Sequence, residues 1–160
     1  MTKEEKELRE ELVFHLTKGH AHMTFAEVIA DFPKELINMK APNVEYSFWD
    51  VIEHIRLTQK DILDFIVAQE YAEPKWPDDY WPPKDKQATE KEWQKSIEMF
   101  EKDQKNLIKL IEDPTTNLYN KIPRGTGQTV LREIEVVIDH NAYHVGEFGI
   151  LRQVCNGWKK

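Results

Sequence analysis

The residues of this 160-residue chain best suited to chemistry are its histidines, and two of them, His140 and His144, stand four apart in a long apolar-periodic segment. On an α-helix, residues at that spacing lie one above the other on a single face, so both imidazoles point the same way. The same face carries Val130, Ile134, Val137, Asn141, Phe148 and Leu151, which is the spacing of a buried stripe. Burying an unpaired polar group costs about 1–3 kcal/mol. The two rings therefore need hydrogen-bond partners in the core or a metal ion.

A third histidine changes the weighing. His54 follows Val51 by three and precedes Ile55, at the edge of a stripe of Val51, Ile55, Thr58, Ile62 and Phe65 or Ile66. Three inward imidazoles with a fourth position open make the ligand set of a catalytic transition-metal site, whereas structural zinc is closed by four protein ligands. Three ordinary core histidines, each with a hydrogen-bond partner, remain the alternative. A metalloprotease helix needs Glu after the first His of the pair, and Asn141 stands there. Di-iron bundles use Glu-x-x-His, and no histidine of this chain has Glu three residues before it. Imidazole ligands favour zinc or nickel over manganese and iron, and disfavour magnesium and calcium, which prefer oxygen.

Other residues are weaker candidates. Asp50, Glu53, Asp139 and Glu147 neighbour the three histidines in sequence and are placed to orient an imidazole through its second nitrogen, although such acids more often belong to a solvated face. His15, His20 and His22 lie early, the last two in a loop that either is solvated or reaches the mouth of the site. Tyr143 and Arg152 are candidates for holding an anionic group of a substrate.

These residues must be positioned by helices. Thr2 with Glu5, Thr24 with Glu27, Ser47 with Asp50, and Thr89 with Glu92 each read as a capping box ahead of a periodic stretch. The pattern predicts helices over 3–18, 25–32, 48–68, 90–112 and 129–155, with Gly19 ending the first and Pro33 stopping the second. The 25–32 piece reads as a broken extension of the first helix. No stretch alternates as a strand does. The expectation is an all-α, antiparallel four-helix bundle with a short extra helix and long connecting loops, in a single domain over 1–160. Loops over 33–46, 69–88 and 113–128 exceed what a minimal bundle needs. The aromatics and prolines of Trp76-Pro77-Asp78-Asp79-Tyr80-Trp81-Pro82-Pro83 suit either a pocket wall or an apolar plug over one end.

Composition removes several function classes. A net charge of −7 argues against nucleic acid, which selects basic surfaces. No apolar run approaches the ~20 residues of a membrane span, and the charged start, Met1-Thr2-Lys3-Glu4-Glu5-Lys6, is unlike a signal peptide. A lone cysteine, Cys155, fits a reducing compartment. The expectation is a cytoplasmic protein without membrane or nucleic-acid partners.

With these motifs in hand, the chain resembles the DinB-like family of four-helix-bundle metalloenzymes. The likeness rests on Gly19-His20-Ala21-His22, on Ser47 through His54, on Trp76 through Pro82, and on His140-Asn141-Ala142-Tyr143-His144-Val145-Gly146, taken in order. The resemblance implies a divalent metal held by His54, His140 and His144, and a homodimer. It also implies a small-molecule substrate, since characterised relatives include transferases in which the metal activates a low-molecular-weight thiol. A thiol S-transferase and a hydrolase of a small molecule are the two enzymatic readings. A non-catalytic metal-binding or interaction bundle is the alternative from a different class.

Overall fold

The computed structural model describes residues 1–19 and 21–158. Among these the chain forms α1 (Lys3–Lys18), α2 (Phe25–Ile29), α3 (Phe48–Val67), α4 (Glu90–Glu112) and α5 (Val130–Val154), with single 3-10 turns at Lys34–Leu36 and Asp78–Tyr80. No strand is present among the described residues, only isolated bridges at Lys40–Ser47 and Lys121–Thr129. The protein is an all-α bundle.

All four capping boxes form, each with the hydroxyl accepting from the third helical N–H and the acid accepting from the cap's own N–H. Each cap contributes about 1 kcal/mol, and together they set where α1 to α4 begin. Thr129 caps α5 by accepting from the Arg132 N–H. Gly19 ends α1 at φ +53°, and a Cβ there would lie 2.8 Å from the His22 carbonyl oxygen. The turn therefore needs glycine. Beyond it α2 has its own cap and packs against α5, so it is an element in its own right and not a continuation of α1.

Contacts along the helices give their directions. Arg9 reaches the Ile111 carbonyl while Leu16 accepts from Gln104, so α1 and α4 are antiparallel. His54 faces His144 and Gln59 pairs with Asn141, so α3 and α5 are antiparallel too. In contrast, Trp49 donates to Ser96 and Gln59 to the Phe100 carbonyl, which makes α3 and α4 parallel. The expected antiparallel order fails for this pair because residues 69–88 return the whole length of the bundle before α4 starts. That return explains the length of the loop.

The core divides into two apolar blocks. One gathers Phe48, Trp49, Ile52 and Ile55 of α3, Trp93, Ile97 and Phe100 of α4, and Val145, Phe148 and Leu151 of α5, under α2 and the 33–46 loop. The other gathers Leu12 and Leu16 of α1, Ile62 and Leu63, Leu107 and Ile111, and Val130, Ile134 and Val137. Between them each long helix of the α3–α4–α5 group contributes polar side chains. Gln59, Asp103 and Asn141 are buried there. Asn141 donates to the Gln59 Oε1 at 3.0 Å, and Gln59 donates to the Phe100 carbonyl at 2.9 Å. No helix of the described residues is long and apolar enough to cross a membrane.

Candidate metal centre

The three histidines singled out by spacing meet at the edge of this polar layer. His54 comes from the second turn of α3, and His140 and His144 from adjacent turns of α5 that pass it in the opposite direction. Their ring centroids lie 4.5–4.9 Å apart, and one ring nitrogen from each falls within 4.8 Å of the others. His54 is 3% exposed and His144 9%. His140 is half-buried.

The hydrogen bonds settle which nitrogen faces inward. His54 Nδ1 lies 2.8 Å from the Tyr80 carbonyl oxygen. A carbonyl only accepts, so Nδ1 carries the proton and Nε2 keeps its lone pair. His144 Nδ1 lies 2.7 Å from the Glu147 Oε2, and the same logic bares its Nε2. The His140 Nε2 is 3.1 Å from the His54 Nε2. Two nitrogens sharing one ion at about 2.0–2.1 Å stand roughly 3–3.4 Å apart, so this pair already has the separation that a common ligand requires. His140 Nδ1 and Asn141 Oδ1 are both buried without a hydrogen-bond partner among the described residues. Asn141 favours the charged form of the His140 ring, although the two do not reach hydrogen-bond geometry.

Electrostatics favours the metal-binding form of two of the rings, His140 and His54. Burial pushes the His140 pKa down, and the neighbouring His144 and His54 rings add to it, bringing the value to about 4. Burial also lowers His54, against the raising effect of the Tyr80 carbonyl. Burial pushes the Glu147 carboxyl up, but hydrogen bonds from His144 and from the Tyr46 hydroxyl outweigh it and hold the group below its ordinary value. Tyr46 in turn is raised to about 12 by burial and by its bond to Glu147, so it stays a donor. The donor set is three imidazoles and no thiolate. It fits a divalent transition metal, and the cluster can hold one.

Residues 19–148 match the family model described as the DinB superfamily. The chain belongs to the DinB superfamily. No curated protein and no solved structure matches it. In this DinB-superfamily protein the long 69–88 return is a wall of the site and not a plug at the end of the bundle. Trp81 stacks on His54 with ring centroids 4.0 Å apart and planes 2° from parallel, and Tyr46 packs against Trp81 at 5.5 Å.

The structure sorts the remaining candidates. Of the four neighbouring acids, only Glu147 orients a ring. Asp50 caps α3, Glu53 is tied to Arg56 and Ser96, and Asp139 is exposed. His15 and His22 border a separate small cavity between α1, α2, α4 and α5, so neither joins the cluster. His20 lies outside the described residues. Tyr143 is exposed, with its ring edge-on to His144 at 4.8 Å. Arg152 cannot hold an anion. It is 1% exposed and donates to the carbonyls of Val28, Asp31 and Gly157.

Sequence reasoning missed Tyr46, the Tyr80 carbonyl and the stacking of Trp81. The aromatic loop had marked Tyr80 and Trp81 as lining something. Nothing in the sequence marked Tyr46 beyond its place before the Ser47 cap.

Proposed function

We propose that this protein is a metal-dependent enzyme acting on a small molecule, with His54, His140 and His144 as the metal ligands and a thiol S-transferase as the leading reaction. The observation that carries the reading is the fixed pair of tautomers. The Tyr80 carbonyl and the Glu147 carboxylate hold the Nδ1 protons of two rings, and so present bare Nε2 atoms to a common point beside His140. Among the described residues no fourth metal-binding side chain joins the three, which is the pattern of catalytic rather than structural sites.

Zinc or nickel is the proposed ion. Such an ion lowers the pKa of a thiol or water presented to it, making thiolate or hydroxide available near neutral pH. The chain's own residues do the rest. Glu147 and Tyr80 orient the ligand rings, Trp81 covers one face of His54, and burial keeps protons off His140 and His54. A small-molecule substrate and a second copy of the chain are the proposed partners, and the family resemblance supports both.

The test is metal analysis of the purified protein after dialysis against zinc and nickel, followed by turnover assays. The zinc-loaded protein is given low-molecular-weight thiols with an epoxide or alkyl-halide panel, and separately ester and amide substrates without thiol. Stoichiometric metal and thiol-dependent consumption of an electrophile support the transferase. Thiol-independent cleavage moves the assignment to a hydrolase. Stoichiometric metal without turnover in either panel leaves a binding protein and defeats the enzymatic reading.

A further inference from the structure

We propose that Asp61 is a positioning residue for His54, acting through Tyr80. The inference rests on the three-imidazole reading above. Asp61 stands on α3 two turns beyond His54, about 10 Å along the helix axis, and its sequence context gives no sign of a link to the site.

The link is made by the 69–88 return. Each oxygen of the Asp61 carboxylate accepts from a different phenol, Oδ1 from Tyr71 at 2.8 Å and Oδ2 from Tyr80 at 2.6 Å. Burial, reinforced by the carboxylate itself, pushes both phenols up, so both remain donors. These bonds pin the two ends of segment 71–80 to α3. Within it, the Lys75 N–H donates to Asp79 Oδ2 at 2.8 Å and the Asp79 N–H to the Lys75 carbonyl at 2.9 Å, which stiffens the turn that delivers Tyr80.

Tyr80 is thus held by its side chain to α3 and presents its backbone carbonyl to a ring of the same helix. Trp81, the next residue, lies flat on that ring. The path from α3 through Asp61 and Tyr80 back to His54 closes a loop of contacts with little freedom. Neutral imidazole has two tautomers, and the carbonyl selects the one whose Nε2 is bare. Partners of this kind typically change metal affinity by about 10–100-fold when removed. Cutting the Asp61 bond frees the carbonyl to move, and the His54 ring loses the contact that fixes its proton.

The test reads the tautomer and the metal separately. Nitrogen-15 NMR of the histidine side chains of metal-free protein, with His54 assigned by its loss in His54→Gln, gives the proton position. Zinc affinity is measured by chelator competition, and cobalt(II) reports ligand geometry through its visible spectrum. The parent is expected to show the Nδ1–H tautomer at His54. Tyr80→Phe and Asp61→Ala are each expected to show a mixture with the Nε2–H form, a zinc Kd raised by roughly 10–100-fold and an altered cobalt spectrum. Tyr71→Phe, which leaves the Tyr80 bond intact, should stay close to the parent. Tyr80→Phe removes a single oxygen, so it remains decisive should Asp61→Ala fold poorly. An unchanged tautomer in Tyr80→Phe overturns the proposal. Should the parent take up neither zinc nor cobalt, the three-imidazole reading fails, while the tautomer of the metal-free protein still decides the role of Asp61.

Discussion

The two apolar blocks of the bundle are built from different residues and do different work. The block under α2 is aromatic, with Phe32 and Phe148 in ring contact with each other and each with Phe48 and Trp93, and Phe25 stacked on Phe100. The opposite block is aliphatic and lies between regular helices. Large flat rings fill the irregular space beneath loops, whereas branched aliphatics interdigitate between helical ridges. The layer between them is polar, and the histidine cluster sits at its edge. A shift of α3 by one residue would leave the Gln59 amide and the Asn141 amide unpaired. The layer thus ties helix register to the position of the site, at a level between the two apolar blocks.

The largest expected effect separates the polar seam between the blocks, with the histidine cluster at its edge, from the blocks themselves. His144→Ala should lose stoichiometric zinc at pH 7.5, with more than the ~10–100-fold affinity loss of a supporting residue, while the metal-free protein still melts cooperatively. Full metal content in the variant would take His144 out of the site.

Within the blocks, Phe148→Ala should cost ~3–5 kcal/mol and Leu107→Ala ~2–5 kcal/mol by chemical denaturation, since both side chains are fully buried. Only the first should also weaken zinc binding, because Phe148 lies one turn from His144 and Leu107 lies in the far block. Equal effects on zinc would mean that the blocks are not independent.

In the seam, Gln59→Leu should destabilise by ~1–3 kcal/mol, the cost of leaving a buried amide unpaired. Adding Asn141→Leu should recover the part of that loss due to the stranded Asn141 amide, since both partners of that bond are then apolar, while the Phe100 carbonyl still lacks its Gln59 donor. An additive loss in the double variant would contradict the pairing.

The smallest effect is on pH. In metal-free protein the His140 pKa is held at about 4 and that of His54 is lowered, against an ordinary 6.5. Between pH 6.5 and 4 the unfolded chain therefore binds protons that the folded one refuses, and stability falls as pH falls. Thermal melts at pH 7.5 and 5 should show the drop, and His140→Gln should flatten it. A slope unchanged by that substitution would place the titrating groups elsewhere.

Much of this was legible in the sequence. Helix starts could be read because a capping box is a local device, complete within four residues. The three histidines could be read because i and i+4 share a helical face whatever else packs there. The direction of α4 could not, since a loop of the length of 69–88 suits either a turn or a return. The partner of His54 is a backbone carbonyl, which every residue has and no sequence marks. Glu147 was one of four equivalent acids until packing brought its carboxylate to His144 and not to solvent. Arg152 looked like an anion binder because charge is visible in sequence, whereas three carbonyls brought together by the fold are not.

The buried Arg152 has a consequence for the order in which the protein can be made. Its guanidinium fills the carbonyls at the end of α2, a partner 124 residues earlier in the chain. At ribosomal rates of ~5–20 residues per second that separation is about 6–25 s of synthesis. Until then the carbonyls of Val28 and Asp31 lack the Arg152 guanidinium, and the rings of Phe32 and Phe48 lack Phe148 to close over. The nascent chain therefore leaves the side of the aromatic block that Phe148 covers, the rings of Phe32 and Phe48, open until the last helix is made, and that is when a chaperone would have something to hold.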